Sequence, residues 1–253
     1  MRTGLILWNA VTLRNFRMLA EKLSRRVEPD TKAEMAEWIK RERVYSTEEF
    51  CQTIDAQLFR NIEDELHEIE IAARQKLSRL GVELGGPGDF ALLYFLILKY
   101  KPTNIVETGV AAGWSSLAML EALWKNGNGT LYSSDLPYFR LRTPRKYVGV
   151  LVEDSRFRKN WHLWTQGDRR NLPLISEALG KERLDLFHYD SDKSYAGRVF
   201  ALSTLREKFD SGSVVIFDDI GDNNHFKNWV ENTDVTYSII ASRGRFVGVA
   251  QIR

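Results

Sequence analysis

The segment 104–119 constrains the fold of this chain more than any other stretch. A short apolar run typical of a strand ends at Val106, and a helical repeat of apolar residues begins at Leu117. Between them lie Gly109 and Gly113, and an abrupt turn from strand to helix needs residues without a Cβ. Such a turn presents backbone N–H groups at the start of a helix. The segment therefore predicts a ligand site at the carboxyl end of a buried strand.

The residues around this turn exclude two common phosphate sites. No Lys follows Gly113, which excludes a P-loop, and the Gly-x-x-x-Gly spacing departs from the Gly-x-Gly-x-x-Gly of dinucleotide-binding proteins. Glu107 precedes the turn, and a carboxylate there suits a cationic ligand such as the amino group of S-adenosylmethionine (SAM). The alternative is an ordinary strand–turn–helix corner that binds no ligand.

The run Glu107-Thr-Gly109-Val-Ala-Ala-Gly113-Trp-Ser115 resembles motif I of the class I SAM-dependent methyltransferases. That resemblance implies a Rossmann-like fold in which Glu107, Gly109, Gly113 and Ser115 contact SAM.

Composition excludes several other classes of protein. The chain has 253 residues, enough for one large α/β domain with an appendage, and its formal net charge of +2 gives no nucleic-acid footprint. A single cysteine, Cys51, excludes an intramolecular disulfide. No segment reaches the ~18–20 apolar residues that cross a bilayer. We therefore expect a cytoplasmic protein with neither nucleic acid nor membrane as a partner.

Residues 1–84 predict a helical extension that serves as a cap or a dimerisation element. Ser46-Thr-Glu-Glu49 forms a capping box that opens a long helix. The apolar stripe of that helix would pack either on the main domain or on a second subunit of a homodimer; it comprises Phe50, Ile54, Leu58, Ile62, Leu66 and Ile69. A first helix carries its apolar face on Leu5, Trp8, Val11, Leu13, Phe16, Leu19 and Leu23. The glycine-rich stretch 81–88 marks the domain boundary.

Residues 85–253 predict a SAM-binding methyltransferase domain of the α/β class. Helix and strand patterns alternate there, which indicates a doubly wound, mostly parallel sheet. The last two strands are joined through Ser242-Arg-Gly-Arg245 and add an antiparallel C-terminal hairpin. The expected sheet has seven strands, at 104–106, 130–134, 161–165, 184–189, 214–217, 235–240 and 246–252.

An acidic residue follows each predicted parallel strand: Glu107, Asp135, Asp168, Asp190 and the pair Asp218-Asp219. Ligands of open α/β sheets bind outside the carboxyl ends of the strands, so these acids predict a cationic or hydroxyl-rich ligand. Asp135 lies where an acid can hold the ribose hydroxyls of either NAD or SAM. Asp168 is equally placed to cap a helix, whereas the resemblance puts it near the adenine amino group.

The segments from Leu184 to Tyr195 and from Val214 to Phe226 resemble a class I branch related to bacterial sugar and natural-product O-methyltransferases. Asp190, which we also assign to the cofactor, could converge with Asp218 and Asp219 on one Mg²⁺ or Mn²⁺ ion. Catechol-type methyltransferases have a Lys three residues after the first ligand, as Lys193 is here, and this implies a catalytic base. The sugar-modifying relatives usually carry His at that position, and a surface ion pair is the alternative role for Lys193.

These observations predict a SAM-dependent methyltransferase acting on a hydroxyl of a small molecule, a sugar or natural product, with Mg²⁺ as an optional cofactor. Two alternatives stay open: an NAD-dependent oxidoreductase on a Rossmann-like fold, and a non-catalytic nucleoside-binding module. One dense basic run is either a solvated loop or a lid that meets an anionic substrate such as a nucleotide-linked sugar; it comprises Arg140, Arg142, Arg145 and Lys146.

Overall fold

The computed structural model describes residues 2–12 and 28–253. The helices within these residues are α1 (Arg2–Thr12), α2 (Lys32–Ile39), α3 (Thr47–Ser78), α4 (Phe90–Tyr100), α5 (Trp114–Asn126), α6 (Asp168–Leu179), α7 (Tyr195–Leu205) and α8 (His225–Glu231). The strands are β1 (Val44–Ser46), β2 (Asn104–Thr108), β3 (Thr130–Ser134), β4 (Trp161–Trp164), β5 (Leu186–Tyr189), β6 (Val214–Phe217), β7 (Val235–Ser242) and β8 (Arg245–Ile252).

All described strands form one sheet in the order β1-β7-β8-β6-β5-β2-β3-β4. Only β8 runs antiparallel to its neighbours, β6 and β7. The predicted α/β class, with a mostly parallel sheet and an antiparallel C-terminal hairpin, is therefore confirmed. The predicted count of seven strands was wrong, because β1 pairs parallel with β7 as an eighth strand. Only three residues long, β1 shows no alternation that a sequence pattern could detect.

Two apolar layers cover the faces of the sheet. Every residue of β5 and β6 is buried, as expected for central strands covered on both sides. Successive side chains of a strand point to opposite faces. Accordingly, Leu186 and Ile216 pack in one layer with α3, α4 and α5, and Phe187 and Val215 pack in the other with α6, α7 and α8.

Helix α3 begins with the predicted capping box: the Ser46 hydroxyl accepts from the Glu49 amide, and the Glu49 side chain accepts from the Ser46 amide. Its apolar stripe packs on α4, where Phe59 meets Phe95 edge to face at 5.9 Å. The main domain thus covers the stripe, so the stripe no longer argues for a homodimer, which stays a prediction. The division of the chain at residue 84 also stays a prediction.

Helix α1 confirms the start of the predicted N-terminal helix. Ile6 and Ala10 pack against Leu136 and Phe139, whereas Trp8 is 69% exposed. The remaining predicted apolar positions, Leu13, Phe16, Leu19 and Leu23, lie outside the described residues. In the described part of the chain, no helix has the length and apolarity that a membrane span requires.

Candidate active site

The turn between β2 and α5 brings its backbone against the ends of the neighbouring strands. Gly109 has φ +87°, and a Cβ there would collide with the carbonyl group of Asp190. Gly113 has φ +95°, and a Cβ there would lie 3.1 Å from the Cα of Gly149. Ala111 adopts φ +48°, a left-handed conformation that is uncommon for a residue other than glycine. At both predicted positions the neighbouring backbone lies too close for a Cβ, so glycine is required there. Of the two, Gly109 also lines the first cavity described below.

Glu107 lies at the centre of the structure and not on the surface of a cavity. Its side chain is fully buried and accepts hydrogen bonds from the hydroxyls of Ser115, Ser116 and Ser133. Burial raises the pKa of Glu107, and the three hydroxyls oppose that shift. The residue thus ties β2 to α5 and β3. Its predicted contact with a cationic ligand stays a prediction.

A first cavity opens at the carboxyl end of the sheet. It is lined by the predicted residues Gly109, Ser115, Asp190 and Asp218. His188 lines it too. That side chain is 6% exposed, burial lowers its pKa to about 4, and its Nδ1 has no hydrogen-bond partner among the described residues. A neutral imidazole therefore faces this cavity.

Asp89 is a residue of the first cavity that the sequence did not reveal. Its carboxylate accepts from the Thr47 hydroxyl at 3.0 and 3.1 Å, and burial raises its pKa. Residues 86–88 line the same cavity. These residues belong to the glycine-rich stretch 81–88, which the sequence analysis interprets as a domain boundary. Glycines also allow close approach of a ligand, so this stretch was the sequence feature that could have predicted this side of the cavity.

A second cavity is lined by Asp135 and Asp168. The Asp135 carboxylate accepts from the backbone amides of Ala111 and Leu136, both at 2.6 Å, yet burial raises its pKa to about 7. Asp168 is the first residue of α6 and accepts from the hydroxyls of Ser134, at 2.6 Å, and Ser191. Both predicted acids thus border a cavity between the ends of β3 and β5.

Asp190, Asp218 and Asp219 form an acidic cluster in which one carboxylate oxygen of each residue lies within 4.8 Å of the other two. The Lys193 ammonium donates to Asp190 and Asp219, and it lies 3.6 Å from Asp218. Burial and the charge of Asp218 raise the pKa of Asp190 to about 8. Although burial opposes it, the charges of Asp190 and Asp218 raise the pKa of Lys193. A general base needs a lowered pKa, so this setting favours a protonated Lys193.

Arg198 supports the loop that carries Asp218 and Asp219. Its guanidinium is fully buried and donates to the carbonyl oxygens of both acids, at 3.0 and 2.8 Å. Asp219 has φ +51°, so its backbone needs such support. Asn223 adds a bond of 2.7 Å to the Lys193 carbonyl. An arginine in a predicted helix is usually solvated, so the sequence carried no signal for Arg198.

A family model described as a methyltransferase domain, Methyltransf_24, matches residues 106–220. The chain carries a methyltransferase domain. The matched segment spans the glycine turn of the methyltransferase, Asp135 and Asp168 of the second cavity, and the acidic cluster. The prediction of a class I SAM-dependent methyltransferase, made from motif I, is thereby confirmed.

Solved structures show the same fold as this methyltransferase. An O-methyltransferase from Bacillus cereus in complex with SAH matches with a TM-score of 0.57 and 15% identity, covering 76% of this chain and 91% of that one. The O-methyltransferase TomG from Streptomyces achromogenes, in complex with SAM, matches with a TM-score of 0.55 and 16% identity, covering 74% and 88%. An SAH-bound methyltransferase from Podospora anserina matches with a TM-score of 0.53 and 15% identity, covering 81% and 96%. No curated protein matches the sequence significantly.

Proposed function

We propose that this methyltransferase transfers the methyl group of SAM to a hydroxyl of a small-molecule acceptor, a sugar or a natural product. The observation that carries the proposal is the pair of cavities at the carboxyl edge of the sheet, one lined by Gly109 and Asp190 and the other by Asp135 and Asp168. Both open at the carboxyl ends of parallel strands, where ligands of this fold class bind. The bound SAM and SAH of the two O-methyltransferases of similar fold give further support.

The second cavity suits the adenosine part of SAM. The half-buried Asp135 has free acceptor capacity for ribose hydroxyls, and Asp168, on the same cavity, would accept from the adenine amino group. The first cavity would then receive the methionine part, with Ser115 and Asp190 near its amino group. Acids on this cavity suit a cofactor that carries both an ammonium and a sulfonium charge.

The acceptor hydroxyl would enter the first cavity beside Asp190 and Asp218. Its oxygen attacks the methyl carbon, the bond from that carbon to sulfur breaks, and S-adenosylhomocysteine (SAH) leaves as the hydroxyl proton departs. Holding donor and acceptor in line is the main contribution that a protein can make to such a displacement. An ionised carboxylate of the cluster is placed to take the proton, whereas Lys193 would hold the negative charge that develops on the oxygen.

The acidic cluster also fits the predicted Mg²⁺, because three carboxylates within 4.8 Å provide the hard oxygen ligands that this ion prefers. Asp190, Asp218 and Asp219 would hold it, and a bound ion lowers the pKa of a hydroxyl. The Lys193 ammonium lies among the same oxygens, so lysine and metal would compete for them. An NAD-dependent oxidoreductase lacks support, since the glycine turn departs from the dinucleotide pattern and the family model is that of a methyltransferase.

Calorimetric titration with SAH, with and without Mg²⁺, tests the proposal on the wild type and on Asp135→Ala. We expect micromolar binding of SAH that is lost in the variant, and no binding of NAD. Binding of NAD in place of SAH would overturn the proposal. Binding of SAH without methyl transfer to any of a panel of sugar and phenol acceptors would favour the non-catalytic nucleoside-binding module.

A further inference from the structure

The outer face of α1 is apolar and uncovered by any described residue. Leu7, Trp8 and Val11 are 48%, 69% and 55% exposed. They share the side of the helix opposite Ile6 and Ala10, which pack on the loop after β3. Large apolar side chains grouped on one exposed face of a helix mark an interaction surface.

The helix is fixed in place by a buried polar contact. The Asn9 side chain is 5% exposed, and its amide donates to the carbonyl oxygens of Phe139, at 2.8 Å, and Leu141, at 2.9 Å. These bonds seat α1 on the loop 136–147 and leave its apolar face outward. The exposed face therefore has a defined position on the molecule.

The same loop carries the dense basic run of the sequence. Arg140, Arg142, Arg145 and Lys146 are all exposed, and none of them forms an ion pair with a described residue. A bond of 2.8 Å from the Tyr138 amide to the Pro144 carbonyl closes this loop, so the four basic residues belong to one short surface segment. Neither cavity includes them in its lining, which argues against a substrate lid.

We propose that the outer face of α1 and the basic loop 140–146 together bind the surface of an anionic membrane. Tryptophan and aliphatic side chains of an interfacial helix enter the boundary between headgroups and acyl chains, while neighbouring arginines and lysines attract anionic lipids. This is surface association and involves no membrane span. It departs from the expectation of no membrane partner, which rested only on the absence of a long apolar segment. It goes beyond the methyl transfer proposed above and does not depend on it.

The apolar residues favour a membrane over a nucleic acid as the partner. Phosphate backbones would engage the four basic residues, but they would leave Leu7 and Val11 in water. A bilayer interface accommodates both the charges and the apolar face. The small net charge of +2 also fits a local basic patch better than a nucleic-acid footprint.

Co-sedimentation of the full chain with vesicles tests this proposal. We expect binding to vesicles of phosphatidylcholine with phosphatidylserine, weakening with salt, and little binding to phosphatidylcholine alone. Each basic residue near an anionic surface strengthens binding roughly five-fold, so the double variant Arg142→Ala/Arg145→Ala should bind roughly 20- to 30-fold more weakly. Trp8→Ala should bind about ten-fold more weakly, because it loses the largest apolar group of the face.

Two matched variants control for unspecific effects. Arg158→Ala/Lys159→Ala removes an exposed basic pair elsewhere, and Trp124→Ala removes another tryptophan, 60% exposed on α5. Both should bind vesicles like the wild type, and circular dichroism should show that every variant folds. Absence of binding to anionic vesicles, or equal losses in the controls, would overturn the proposal. Tight RNA binding that survives Trp8→Ala, without vesicle binding, would overturn it in favour of a nucleic-acid surface.

Discussion

Glu107 and Asp135 belong to neighbouring strands, yet their carboxylates have opposite surroundings. Three serine hydroxyls donate to the oxygens of Glu107, which lines neither of the two cavities. Asp135 accepts from two backbone amides and borders the second cavity. A carboxylate has about four acceptor sites, so Asp135 can still accept ribose hydroxyls. Of the two residues, Asp135 is therefore the one that we propose as a ligand contact.

The raised pKa of Asp135, about 7, predicts opposite effects of pH on folding and on binding. Between about pH 4 and pH 7 the folded protein keeps a proton that the unfolded chain releases, so stability from this group is present at low pH and lost as the pH rises through about 7. The melting temperature of the ligand-free protein should fall over that range. The affinity for SAH should rise, by roughly ten-fold per pH unit below the pKa, because the ionised carboxylate accepts the ribose hydroxyls.

Asp135→Asn is the control for both effects, since its amide does not titrate. Thermal melts and calorimetry at a series of pH values would show a smaller dependence on pH in this variant. Equal pH dependence in the wild type and in Asp135→Asn would contradict the assignment.

Lys193→Ala is expected to destabilise the protein and to strengthen metal binding. The substitution leaves Asp190, Asp218 and Asp219 without the ammonium between them. Removing one partner of a half-buried ionic group should lower the free energy of unfolding by about 1–3 kcal/mol. Mg²⁺ should restore more stability to the variant than it adds to the wild type, as urea denaturation with and without a chelator would measure.

Lys227→Ala serves as the matched control, because Lys227 forms a single ion pair with Glu34 at 2.8 Å, away from the cluster. It should respond to Mg²⁺ like the wild type. If Lys193→Ala gains no more stability from Mg²⁺ than this control, the three acids do not form a cation site.

For single residues, the sequence predicted well which acids lie at the candidate site and less well which side chains surround them. Asp135, Asp168, Asp190 and Asp218 do lie at cavities, since the carboxyl ends of parallel strands meet at one edge of the sheet. Glu107 does not, because strand patterns do not tell which side chains from α5 and β3 will surround a residue. Three other residues of the site, Asp89, His188 and Arg198, were not predicted, because their surroundings come from segments distant in the sequence.

At the scale of elements, the loop after β6 depends on α7 through one residue. Arg198→Met should lower the free energy of unfolding by about 2–4 kcal/mol, because the carbonyl groups of Asp218 and Asp219 lose a charged donor in a buried setting. The affinity for SAH should fall less than in Asp135→Ala, since Arg198 lines neither cavity. Urea denaturation and calorimetry would measure the two effects.

Arg206→Met, an exposed substitution just after α7, is the control and should leave stability unchanged within error. Equal stability of Arg198→Met and Arg206→Met would show that the loop does not need the buried guanidinium.

Local patterns also explain which elements could be predicted. The capping box at Ser46 and the fully buried strand β6 were predicted within a residue, because a cap and an apolar run are local features. The kink in α3 was not predicted. Asp55 breaks the helix with φ −161°, accepts from the Leu58 amide at 2.9 Å and pairs with Lys99 of α4 at 3.0 Å. That pairing arises only once α3 and α4 pack together.

For the whole molecule, the N-terminal segment should be required for stability. Removing residues 1–46 deletes β1 and also Met35, which is fully buried in the layer with α6, α7 and α8. We expect a melting temperature about 5–15 °C lower and a tendency to aggregate through the uncovered edge of β7. Size-exclusion chromatography and thermal melts would measure both.

Removal of residues 1–27 is the control, because it keeps Glu28, which accepts from the first two amides of α7 at 2.9 and 3.0 Å. This variant should keep its fold and its SAH affinity. A longer deletion that melts like the shorter one would show that β1 and α2 contribute little.

The pairing of β1 with β7 has a consequence for the order in which this protein can fold during synthesis. Val44 is made early, and its partner Ile239 emerges only after every other strand except β8. Strand β1 therefore leaves the ribosome long before β7 is synthesised, and the two strands must pair across a very long loop. A strand of only three residues is a poor template for pairing with other nascent chains. The shortness of β1 therefore limits aggregation of the incomplete chain before β7 has been synthesised.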